Sequence, residues 1–146
     1  MKKTILILCL SLIAVFAYGQ YHCSPLGGTK NVVVLRSIGY GKNVKKAMKD
    51  AEVNAIKTIL FVGAERTPFN SPLITEDRLS VEQRNKEFFE NFYAETYMNF
   101  IESAETTSEF GKDSAKRKCL TQDIRVRALQ LRVYLENNGI IRKFGF

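Results

Sequence analysis

His22 is the only histidine in the chain, and Cys9, Cys23 and Cys119 are its only cysteines. That stock limits the chemistry. A Ser-His-acid or Cys-His arrangement needs an imidazole base held in place, and His22 stands near the start of the chain in a segment expected to be mobile. A zinc site needs several Cys and His ligands. Paired carboxylates could still hydrolyse a glycan, with Glu65, Glu76 and Asp77 as the candidates, although acidic loop residues are ordinarily just solvated. Gly39-Tyr40-Gly41 falls between a strand-like and a helix-like stretch, where phosphate-cradling loops also occur. Val44 stands where a dinucleotide fingerprint has its third glycine, and no Gly-Lys-Ser/Thr ending follows. The glycines are those of a tight turn. No catalytic residue, metal ligand or cofactor is expected.

The location of the protein follows from its first residues. Lys2 and Lys3 precede an apolar run over residues 4–17, and Ala17-Tyr18-Gly19 offers small residues at −3 and −1 of a cut before Gln20. About fourteen apolar residues are short for a membrane span, which needs about twenty. Residues 1–19 therefore read as a cleaved signal peptide, and the expected site of action is the periplasm, the outer envelope of a Gram-negative bacterium, or the medium. Cys9 leaves with the signal. Cys23 and Cys119 remain in an oxidising compartment, where they could form a disulfide or stay as thiols. Lipidation of Cys23 fits poorly, because Gln20, Tyr21 and His22 do not make a lipobox.

Without Lys2 and Lys3 the chain keeps 20 basic residues against 15 acidic ones, a net charge near +5. Export takes nucleic acid out of reach. The partners expected of a basic exported protein are another envelope protein or, alternatively, an anionic lipid or glycan. Arg117, Arg125 and Arg127 would share one strand face by alternation. Phe89 and Tyr93 lie on an aromatic helical stretch whose rings extend beyond one face. These five residues form the expected partner surface, with oligomeric state left open.

The elements that would hold them follow from periodicity. Residues 20–30 read as an irregular lead-in, with Pro25, Gly27 and Gly28, to a single domain over residues 31–146. A β-branched run at 32–38 suits a strand. Asn43 can cap a helix over 44–62, striped by Ala47, Ala51 and Ala55 and stopped by Gly63. A long loop follows at 64–79. Ser80 and Gln83 resemble a capping box for a helix carrying Phe88, Phe89, Phe92, Tyr93, Tyr97 and Phe100. Strands are expected over 102–110 and 116–128, the second placing Leu120, Ile124 and Val126 on one face. A short helix at Leu131–Leu135 ends at Asn138-Gly139, and residues 140–144 could add a last strand. The order β-α-α-β-β-α(-β) is that of an α+β domain with helices on a mostly antiparallel sheet.

Gly39-Tyr40-Gly41 followed by the alanine stripe, and Leu131-Arg132 followed by Leu135-Glu136 and Gly139-Ile140, resemble small exported α/β domains. These are the domains of bacterial outer-membrane lipoproteins and the amino-terminal domain of flagellar assembly protein T. The Gly19-Gln20 ending of the signal is similar to that of exported proteins in Bacteroidota. The resemblance implies a non-enzymatic accessory or assembly role in the cell envelope.

Overall fold

The computed structural model describes residues 21–143, so the expected signal peptide over residues 1–19 lies outside the described residues. Five strands form one antiparallel sheet: β1 (Cys23–Gly28), β2 (Val33–Tyr40), β3 (Ile101–Thr106), β4 (Gly111–Lys112) and β5 (Lys118–Val126). The order across the sheet is β1-β2-β5-β3, and β4 pairs with the first residues of β5. Four helices accompany it: α1 (Val44–Phe61), α2 (Arg78–Arg84), α3 (Lys86–Ala94) and α4 (Ala128–Asn137). The fold is α+β, as the sequence leads one to expect.

Strand β2 alternates buried residues with half-buried or exposed ones from Val33 onward, and in β5 Leu120, Gln122, Ile124 and Val126 all point to one buried face. α1 lies on that face. Its Ala47, Ala51 and Ala55 are fully buried, so the short methyl stripe lets the helix approach the strands closely. Gly39 completes the fit, because a Cβ there would fall 1.9 Å from the Ala47 carbonyl oxygen. Asn43 caps α1 by accepting from the Lys46 N–H at 2.9 Å, and Gly63, at φ 91°, ends it.

Four details differ from the sequence reading. The lead-in contains β1, an edge strand with a register shift between Pro25 and Gly27. An edge tolerates a missing N–H, which is why Pro25 does not exclude it. The single aromatic helix is two short helices meeting at Asn85, followed by a 3-10 turn at Thr96–Phe100. Its cap is Asp77, whose carboxylate accepts from both the N–H and the hydroxyl of Ser80. Residues 140–143 form no strand; Ile140 is buried and its N–H bonds to the Leu135 carbonyl, while Phe144 lies outside the described residues.

Across the middle of the sheet runs a polar row. The register sets Cys23 opposite Ser37, Ser37 opposite Gln122, and Gln122 opposite Thr106. The Cys23 thiol donates to Ser37 Oγ at 3.2 Å, and Ser37 donates to the Ala51 carbonyl at 2.8 Å. Gln122 donates weakly to Thr106 at 3.4 Å, but its buried Oε1 has no partner among the described residues.

Candidate functional site

The sheet separates the two cysteines. Cys23 points to the helix side with Ser37, whereas Cys119 precedes buried Leu120 and so points to the opposite face. They also sit at different rungs, opposite Ser37 and Tyr40 respectively. Both are free thiols, so the disulfide is not present. Burial pushes the Cys23 thiol above its ordinary pKa, which disfavours the reactive thiolate.

Among the described residues no helix covers the other face of the sheet, where charges largely neutralise one another. Arg36 forms a two-pronged pair with Asp123, both bonds at 2.8 Å, and Arg125 pairs with Glu102 at 2.7 Å. The hydrogen bonds from Arg36 hold the Asp123 carboxyl below the usual carboxylate range. Arg117 belongs to the β4–β5 turn, where it pairs with Asp113 at 2.7 Å and stacks on the Tyr40 ring at 4.3 Å. His22 meets the same ring edge-on, 5.3 Å between centroids. Arg127 lies past the end of β5 and flanks the start of α4. The three arginines expected on one strand face are therefore split among a turn, a strand and a helix start, and two of them already hold a carboxylate.

Of the two aromatics expected on the partner surface, Phe89 is buried and Tyr93 is half-buried. Phe89 is 3% exposed and Tyr93 packs against the core. Together they floor a shallow groove between α2 and α3, with Leu79, Glu82, Gln83, Lys86 and Glu90 around it. Beside its floor Tyr93 donates to Glu82 at 2.8 Å, Arg78 donates to the same carboxylate at 3.2 Å, and Arg78 also reaches the Tyr21 hydroxyl at 3.0 Å. The Lys57 ammonium lies 4.7 Å from the Tyr93 ring centre. Burial, then the Glu82 carboxylate, pushes the Tyr93 phenol far above its ordinary value, and burial lowers that of Lys57. A tyrosine so held stays neutral at any physiological pH and acts as a hydrogen-bond donor. This network fixes the two short helices to α1 and to the first described residues.

The lip of the groove is Leu79, 73% exposed on the first turn of α2. Sequence periodicity does not mark Leu79, because the capping box puts the helix start at Ser80. A helix beginning at Arg78 and capped by Asp77 is the signal that places it.

Glu65, Glu76 and Asp77 do not converge. Asp77 is the α2 cap, Glu76 pairs with Arg84 at 2.8 Å, and Glu65 lies in an exposed turn after α1. Part of the long loop belongs to the core: Phe69 and Ile74 are buried, and the Leu73 and Ile74 N–H groups bond to the end of α1. Gly39-Tyr40-Gly41 is not the tight turn expected: Gly39 and Tyr40 end β2, and the glycines serve close packing, since a Cβ on Gly41 would lie 2.5 Å from the Ala47 nitrogen. Among the described residues no helix is long and apolar enough to cross a membrane, and no group of three His, Cys, Asp or Glu is placed to hold a metal. No protein-family model, curated protein or solved structure matches this chain.

Proposed function

We propose that this is an exported, non-enzymatic accessory protein that docks onto another protein of the bacterial cell envelope. The observation that carries the reading is Leu79, a large apolar side chain left in solvent at the lip of a groove floored by Phe89 and Tyr93. Burying such a side chain is worth about 1.5–3 kcal/mol, and a central apolar anchor rimmed by polar groups is how protein interfaces concentrate their affinity. Glu82 and Tyr93 of the groove are bonded to each other and Glu82 to Arg78, so these side chains need little ordering when a partner arrives. The partner that fits presents its own apolar side chain to Leu79 and polar groups to Gln83 and Glu90.

The test is native pull-down from envelope fractions. A stoichiometric protein should be captured by the unaltered chain and by Met98→Asp, and lost with Leu79→Asp. Met98 is the control because it too is exposed but does not line the groove. Equal capture by both variants, or recovery of a lone monomer, would sink the reading.

A further inference from the structure

The arginines that the sequence places on one face are dispersed, yet the fold assembles a basic surface that sequence spacing does not show. At one end of the sheet Tyr40 pairs with Cys119, and the next rung sets Gly41 beside Lys118, with the Gly41 N–H bonding to the Lys118 carbonyl at 3.1 Å. On the far side of Lys118 the register places Lys112 directly opposite. By alternation Lys118 lies on the same side of the sheet as Leu120, the side that carries α1, and Lys112 lies there with it. The first turn of α1 presses onto Gly41 at Lys46 and Ala47. Lys42, Lys45, Lys46, Lys112, Lys116 and Lys118 are thus gathered from two segments far apart in sequence, and all six are exposed. Among the described residues none of them forms an ion pair. The nearby Asp113 is already taken by Arg117.

Two features of this end are unfavourable for the isolated domain. Lys112 and Lys118 are like charges directly opposite on neighbouring strands, an arrangement that destabilises a sheet. Lys45 and Lys46 occupy the first turn of an eighteen-residue helix that has no acidic residue there, against the helix dipole. A local rule broken twice in one place marks a site shaped for something other than stability. An anion relieves both.

We infer that this lysine end docks the protein onto an anionic membrane surface. Lysines suit such a surface, being mobile point charges, whereas recognition of a single planar anion favours the arginine fork. Val44, 47% exposed between Lys42 and Lys45, adds an apolar side chain that can enter the headgroup layer. The inference is independent of any protein in the α2–α3 groove, so either can fail alone.

The experiment is co-sedimentation of the purified protein with vesicles of phosphatidylcholine containing 30% phosphatidylglycerol (a composition of order a third anionic, chosen so that each nearby lysine contributes) and with phosphatidylcholine alone. Binding to the anionic vesicles is expected at low salt and is lost once salt shortens the screening length to a few ångströms. Lys112→Gln with Lys118→Gln should weaken binding about thirtyfold, from about 1 kcal/mol per lysine. Lys30→Gln with Arg66→Gln removes the same charge near the β1–β2 turn, at the other end of the sheet, and should change binding less than about threefold. Both pairs are exposed, and a melting temperature at or above that of the unaltered protein confirms that the lysine variant folds. Equal losses in the two variants, equal binding to neutral vesicles, no binding to anionic vesicles, or capture by a soluble acidic polysaccharide in place of vesicles would each overturn the inference.

Discussion

The two ends of the sheet are built on opposite terms. At the Val33–Val126 end, the 3-10 turn, α3 and α4 bring Phe92, Phe100, Leu131 and Leu135 onto the strands, all buried. Phe92 there stacks on Phe88 at 5.8 Å and meets Tyr134 at 6.2 Å and Phe100 at 6.1 Å. At the Tyr40–Cys119 end, Gly39 and Gly41 leave room for α1 and exposed lysines stand where the other end has its buried ring cluster. The polar row from Cys23 to Thr106 lies between them. One end supplies stability by burial, and the other gives up stability to present charge.

The sharpest way to break this comparison is to remove the centre of the apolar end. Phe92→Ala should cost about 3–5 kcal/mol, read as a lowered denaturation midpoint. A loss under about 1 kcal/mol would mean that the ring cluster is not what holds α3 and α4 to the sheet.

A smaller effect is expected at the lysine end, by a different route. Gly39→Ala drives a methyl into the Ala47 carbonyl and the Ala51 nitrogen, both backbone, so α1 must lift. Overpacking of this kind costs about 1–3 kcal/mol. Because α1 also carries the lysine turn, this variant should bind anionic vesicles less well than its stability alone explains. Unchanged melting would show that α1 does not need its close approach.

The smallest effect should come from the boundary. Gln122→Leu removes a buried amide whose oxygen has no partner among the described residues. The expected result is a gain of about 1 kcal/mol, since an unsatisfied buried polar atom costs about 1–3 kcal/mol and the lost bond to Thr106 is long. A destabilisation of that size instead would mean that Gln122 serves the fold through its amide.

Local patterns were enough for the frame. Asn43, the alanine stripe and Gly63 specify α1 by capping chemistry and a four-residue period, and Leu120, Ile124 and Val126 specify the buried face of β5 by alternation. The same alternation was misleading for the arginines, because a strand pattern does not announce where the strand stops. Arg117 falls before β5 and Arg127 after it. The aromatic character of Phe89 and Tyr93 is plain in the sequence, but whether a ring is floor or lip depends on the break at Asn85, where one helix ends and the next begins. β1 carries no alternating pattern of its own, since an edge strand with a proline and two glycines borrows its order from β2.

The sequence by itself determined the α+β class, the course of the principal helix, the buried face of the central strands and the scarcity of imidazole and thiol chemistry. Only the tertiary structure decided the rest. It put the two thiols on opposite faces, matched Arg36 and Arg125 with carboxylates from neighbouring strands, and brought lysines near residue 44 beside lysines near residue 115. The physical reason is that periodicity encodes which side of an element is apolar, whereas charge pairing and proximity depend on strand register, a relation between segments that neither segment contains.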